Sequence, residues 1–419
     1  MSFRKAFFWL HLAVGILAGA VILSMSVTGT LLAFEPRILA RVERDLRQVK
    51  PPSPGAVKIP VSGILRRATA IEPGMRLTSL SLGSSPSATA VATFGREGGT
   101  FYIHPYSGEL LGRSSQTHDF LHAVEEWHRW LGSREFGKPV TGAVSLGFLF
   151  LTLSGFYLWW PRRWSRAVWK KAALPQRGLH GRAREWNWHN AFGFWFAPVL
   201  LLTTTTGAVM SYRWANDLLF RAMGSEPPRL QPEGGNPKEV GRREEKELAG
   251  ERRPTEARRG SRGDALQRAL ASGDGPGHVF GPWLDSLPAL ATARLPQWET
   301  LALRLPAKAG APVQVTLTHG GQGSFPRRSQ MRFEAVTGKL IEWLPYDGQS
   351  KGQRARIWAR YLHTGQALGW PGQILMALGA AVAGLLVWTG WAMSWRRFFA
   401  KQRSQNSNLM RPSKTSASK

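Results

Sequence analysis

The chain of 419 residues contains no cysteine. That excludes disulfides, thiolate-held iron–sulfur clusters and the Cys-x-x-Cys-His attachment of c-type haem. Acid is scarce too: 27 Asp and Glu stand against 55 Lys and Arg, a formal net charge of +28. The shortage is sharpest in three short stretches. Arg4 and Lys5 precede the first apolar run. Residues 161–187 carry Arg162, Arg163, Arg166, Lys170, Lys171, Arg177, Arg182 and Arg184 against Glu185 alone, and the tail beyond Trp395 holds cations and no acid. Each stretch abuts an apolar run, the positive-inside signature of a multi-pass membrane protein rather than of a nucleic-acid groove. The interiors of the apolar runs also lack carboxylates, which argues against a proton relay or a transition-metal path. No Gly-x-Gly-x-x-Gly opens a strand–helix unit, so no nicotinamide site is expected.

What the chain does have is four apolar runs long enough to span a bilayer. The expected fold is a membrane α+β protein, a four-helix bundle with small α+β domains outside the membrane. Its plan is transmembrane helix 1 at 1–34, a first external domain at 35–137 with a histidine-bearing helix at 119–131, and helix 2 at 138–160. A basic cytoplasmic loop at 161–187 leads to helix 3 at 188–212, a second external domain at 213–362 and helix 4 at 363–395. Residues 396–419 read as a basic, disordered cytoplasmic tail. Helical periodicity marks 61–71, and alternation marks strands at 77–82, 90–94, 100–103, 300–305, 313–318 and 331–334. Residues 225–262, dense in Pro, Gly, Glu and Arg, read as a flexible insertion, with a short helix at 264–270.

The two halves of the chain read as copies of one unit. His11 is followed by Gly15, Thr28 and Gly29; His189 is followed at the same offsets by Gly193, Thr206 and Gly207. His128 precedes Ser154-Gly155 as His363 precedes Thr389-Gly390. Outside the apolar runs, residues 101–111 (FYIHPYSGELL) align with 331–341 (MRFEAVTGKLI), Gly108 falling on Gly338. Each unit starts and ends on the same side, so the repeats are parallel, about an axis along the membrane normal.

The histidines give this plan a chemistry. Position +4 stays on a histidine's helical face and +18 returns to it ~27 Å further on, so each helix offers a nitrogen ligand above small residues. Symmetry pairs His11 with His189 and His128 with His363. Two neutral imidazoles on facing helices are what a six-coordinate haem iron needs, and a bis-histidine iron suits electron transfer rather than oxygen binding. The expected cofactors are two b-type haems with His11, His189, His128 and His363 as axial ligands. Gly15 and Gly193 are secondary candidates against the inner group. His122 is a substitute outer ligand, and Arg129 and Arg360, with Arg356, are candidates for haem propionates or an anionic substrate. The competing reading of any one such histidine is an interfacial residue satisfied by water or headgroup.

Residues 126–131 (EWHRWL), 154–163 (SGFYLWWPRR), 186–190 (WNWHN) and 361–365 (YLHTG) resemble the PepSY-associated transmembrane family, across almost the whole chain. The resemblance implies a bacterial inner-membrane protein with four spans, two periplasmic PepSY-like domains and b-type haems, and the cationic stretches put both termini in the cytoplasm. It also implies a role in iron acquisition, as a reductase of ferric siderophores. The electron donor would be quinol or a separate cytoplasmic reductase. The rival expectations are a non-enzymatic, membrane-anchored PepSY binding or regulatory module, and an iron or siderophore permease. This chain departs from the family at its 225–262 insertion and at Leu12, where an arginine is more usual after the first histidine.

Overall fold

The computed structural model describes residues 2–73, 75–95, 98–161, 165–228, 281–306, 311–320 and 325–399. Most of the expected insertion at 225–262, the helix expected at 264–270 and the tail beyond 399 lie outside them. In chain order the described helices are α1 (Phe3–Leu32), α2 (Glu35–Val42), α3 (Arg44–Arg47), α4 (Val61–Ile71), α5 (Gln116–Trp130) and α6 (Gly137–Trp159). They continue with α7 (Arg166–Ala173), α8 (Gly181–Ser211), α9 (Arg213–Ala222), α10 (Leu287–Arg294), α11 (Lys351–His363) and α12 (Gly369–Phe398). The strands are β1 (Leu77–Gly83), β2 (Ala90–Phe94), β3 (Thr100–Ile103), β4 (Leu110–Arg113), β5 (Thr300–Arg304), β6 (Val313–His319), β7 (Arg327–Phe333) and β8 (Leu340–Leu344). The chain divides into two compact units, a helical one and one built on the sheet.

In the helical unit, α1, α6, α8 and α12 are long and apolar enough to cross a membrane. With the antiparallel sheet they make this a membrane α+β protein. The 30 residues of α1 reach ~45 Å, more than the ~30 Å of hydrocarbon in a bilayer. Around the bundle α1 neighbours α6 and α12, and α8 neighbours the same two, so α1 and α8 stand on opposite corners. Two segments differ from the sequence expectation. α8 begins at Gly181, so His189 lies two turns inside the helix and not at its mouth. The segment 363–395 holds two elements: His363 closes α11, and α12 begins at Gly369, beside the Trp370 at which the apolar run opens. The break between them is made by Gly365, whose positive φ of 75° places it against the backbone of Gly372, where no side chain fits.

The other unit is one antiparallel sheet of eight described strands in the order β4-β3-β2-β1-β5-β6-β7-β8. Residues 77–113 and 300–344 each supply one four-stranded meander, and the two join where β1 pairs with β5, Leu80 opposite Leu303 and Leu82 opposite Leu301. Alternation sends Leu80, Leu82, Leu301, Leu303, Val313, Val315 and Leu317 to one face, where α4 and α10 cover them in a single apolar core. Glu43, 1% exposed, anchors the N-terminal side of this unit. It accepts from Tyr102 Oη at 2.8 Å, Ser115 N at 2.9 Å and Arg47 Nη2 at 2.7 Å. Burial pushes its carboxyl pKa up, but the Ser115 N–H and the Arg47, Tyr102 and Ser115 side chains outweigh that, and the net direction is down.

Candidate functional site

Four histidines in the helical unit share one arrangement. His11 Nδ1 meets Ser154 Oγ at 2.9 Å, and His189 Nδ1 meets Thr389 Oγ1 at 3.0 Å. His128 Nδ1 meets Thr28 Oγ1 at 2.8 Å, and His363 Nδ1 meets Thr206 Oγ1 at 3.0 Å. In every case the hydroxyl belongs to a different helix from the histidine, and a glycine follows it. A Cβ on Gly155 would stand 3.3 Å from His11 Cε1, one on Gly29 3.3 Å from His128 Cε1, one on Gly207 3.5 Å from His363 Cε1, and one on Gly390 3.7 Å from His189 Cε1. The hydroxyl holds the ring and the glycine makes room for it.

The hydrogen-bond network assigns the tautomer. Each hydroxyl proton is already given to the carbonyl one turn back: Ser154 to Phe150, Thr28 to Ser24, Thr206 to Leu202 and Thr389 to Leu385. The oxygen is therefore left as an acceptor, and Nδ1 carries the hydrogen. His363 Nδ1 also lies 3.1 Å from the carbonyl of Thr203, which can only accept. The Met25 carbonyl serves His128 and the Leu386 carbonyl serves His189 in the same way. Each of these carbonyls is three residues before its threonine. With Nδ1–H committed, Nε2 keeps its lone pair, the form in which imidazole binds a metal.

His11 on α1 and His189 on α8 come together across the bundle, with ring centroids 6.5 Å apart and planes at 81°. Two imidazoles bound to one metal at ~2.0 Å each would have centres about 6 Å apart, so the spacing suits a shared ion. Both rings line a cavity of about 130 Å³ whose walls include Gly15, Gly193, Phe156 and Leu386. Gly15 and Gly193 line this cavity with the two histidines. His128 and His363 lie within electrostatic range of each other at the other end of the bundle. Among the described residues no group of three or more His, Asp or Glu is placed to hold a bare ion. The donor set is two lone imidazoles per site, which fits a metal whose remaining ligands come from a macrocycle.

The weaker candidates fall elsewhere. His122 is exposed and, six residues from His128, lies on another face of α5. With Arg360 it faces Glu35, whose carboxyl is pushed up by burial and then by Glu125, and drawn back by His122 and Arg360. Arg129 pairs with Glu125 at 3.0 Å and covers the Trp130 ring at 4.3 Å. Arg356 donates to Asn216. His104 accepts from the backbone of Tyr106 and Ser107 in its own turn. The sequence reading took Thr28-Gly29 and Thr206-Gly207 as small residues beneath the histidine of their own helix. In the structure each seats a histidine from another helix, as do Ser154-Gly155 and Thr389-Gly390. The signal was present: four hydroxyl–glycine pairs at repeating distances from four histidines.

The model of the family described as the PepSY-associated TM region matches residues 8–397. No curated protein matches the chain.

Proposed function

Since the chain belongs to the PepSY-associated TM family, we propose that it is a di-haem b electron-transfer protein of a bacterial inner membrane. It passes electrons from the cytoplasmic side to a periplasmic ferric siderophore and releases ferrous iron. The observation that carries this reading is the fourfold seat described above, an imidazole with Nδ1–H bound by hydroxyl and Nε2 free. His11 and His189 would hold one group, and His128 and His363 the other. Bound there, haem supplies reversible one-electron chemistry with no open coordination position.

The chain's own residues do the rest. Ser154, Thr28, Thr206 and Thr389 orient the rings and, by accepting from Nδ1–H, make each imidazole a stronger donor. Glycines at 29, 155, 207 and 390 let helix and ring approach. Thr28 lies 17 residues beyond His11, ~26 Å along α1, so the two pairs sit near opposite faces of a ~30 Å hydrocarbon layer. The cationic stretches orient the His11–His189 end, both termini included, toward the cytoplasm, with the sheet-bearing unit in the periplasm. The two halves are parallel copies of one unit, which the matching meanders and the matching seats support. The siderophore follows from the family resemblance. Its hard oxygen donors release iron on reduction because the ferrous ion binds them far less tightly, so no protein acid or nucleophile is required.

A reduced-minus-oxidised spectrum of the purified protein tests the reading. Split b-type bands on dithionite addition and two haems per chain are expected. His189→Ala should leave one haem, His128→Ala the other, and the double variant none. A colourless protein with full helical content would refute the assignment and leave a membrane-anchored binding module.

A further inference from the structure

A second cavity in the helical unit opens beside the His11–His189 cavity. It is a cleft of about 500 Å³ between α1 and α12, walled by Ile16, Trp388, Trp391, Ala392, Ser394 and Trp395 among others. Its size falls within the ~300–1,000 Å³ usual for small-molecule sites. Residues 388, 391, 392 and 395 follow one another at helical spacing on one face of α12, with Phe399 just past its end. Trp388 and Trp395 are 64% and 66% exposed, so on a membrane-crossing helix the mouth opens to lipid. Ile16, Trp391 and Ser394 line both cavities. Trp391 is the partition: its ring presses on Gly19 of α1, where a Cβ would stand 2.6 Å from it. Trp388 precedes Thr389, the residue that holds His189, so the cleft stands at the level of the inner pair. Ser394 Oγ donates to the Gly390 carbonyl at 2.7 Å and keeps a lone pair with which to accept an O–H.

We propose that this cleft docks a lipid-soluble quinol, which delivers its electrons to the iron held by His11 and His189. This rests on the function proposed above. The sequence holds no nicotinamide-binding unit, so the donor is either lipid-borne or a separate protein. A docking face for a water-soluble reductase would be polar and lie at the helix ends. This cleft is apolar, aromatic, open to the bilayer and one side chain away from the inner imidazoles. Oxidation of one quinol to quinone breaks two O–H bonds and yields two electrons and two protons. Haem iron held by His11 and His189 would accept these electrons one at a time, the first passing onward before the second arrives, and the two protons would leave to water.

The test has two arms on the full-length protein in detergent. In the first, an azidoquinone is photoactivated with and without excess decylubiquinone, and labelled peptides are mapped. Labelling of the α12 segment 388–399, competed by decylubiquinone and lost in Ala392→Phe, is expected whether or not haem is loaded. In the second, decylubiquinol is mixed with the oxidised protein in a stopped flow. Ala392→Phe, which fills the cleft, and Trp395→Ala should each slow the appearance of the reduced band by at least tenfold, while dithionite still reduces both variants fully. Labelling that decylubiquinone does not compete, or quinol reduction that proceeds at full rate in both variants, overturns the docking site. A protein with no b-type band under dithionite would instead sink the haem assignment, and the labelling arm would still report on the cleft.

Discussion

His11 and His189 belong to helices that cross the bundle from end to end, whereas His128 and His363 sit at or near the ends of the connecting helices α5 and α11. The first pair is positioned by contacts along the full length of α1 and α8. The second reaches the bundle through Thr28 and Thr206, each at the far end of its own span. A further contrast cuts across the first. Among the described residues Ser154 is the one hydrogen-bond partner of His11, while His128, His189 and His363 each have a threonine and a backbone carbonyl. The same device is thus tied down unequally, and its weakest tether is on the His11 ring.

The largest effects come from closing a seat. Gly155→Leu should expel the His11 ring and abolish the inner haem, leaving one haem per chain by pyridine haemochrome assay; Gly29→Leu should do the same to the outer one. Alanine separates the tight seats from the loose. With 3.3 Å available at Gly155 and 3.7 Å at Gly390, Gly390→Ala should keep both haems while Gly155→Ala loses part of the inner one. Equal retention in the two alanine variants would break the contrast.

An intermediate effect should follow from removing hydroxyls. Ser154→Ala takes away the acceptor for His11 Nδ1–H, and loss of such a partner typically costs about 10–100-fold in metal affinity. Thr206→Val leaves His363 bonded to the Thr203 carbonyl, so haem should be lost from the Ser154 variant first in a competition with apomyoglobin. The smallest effect on either site should come from Glu43→Gln, which lies in the sheet-bearing unit. Both b-type bands should persist, but unfolding monitored by circular dichroism should show that unit weakened by about 2 kcal/mol, the scale of a buried partner left unsatisfied. Because the folded state lowers the Glu43 pKa, its contribution is present above the ordinary carboxyl value and is lost as pH falls through the lowered one. The Gln variant should lack that part of the acid dependence.

Much of this was legible in the residues because the same spacings of histidine, hydroxyl and glycine recur in both halves of the sequence. The spans, α4 and the strands β1 to β3 follow from apolar runs and from alternation. β7 is longer than the stretch at 331–334 suggests, since Arg327, Arg328, Ser329 and Gln330 hide its start behind polar side chains. β8 and α11 show neither a clean alternation nor a clean apolar stripe. The histidines could be read one by one, but their seats could not. The face of one helix does not say which neighbour arrives there: Thr28-Gly29 shares the face of His11 on α1 but seats His128.

The pairing of β1 with β5 has a consequence for how the protein is made. Over 200 residues and two spans separate these strands, so when β1 to β4 leave the membrane machinery their innermost edge has no neighbour. Until the later meander arrives, Leu80 and Leu82 border a bare row of amides and carbonyls, a template on which another nascent chain can add. Biogenesis therefore has a vulnerable interval, which closes only when β5 pairs along β1.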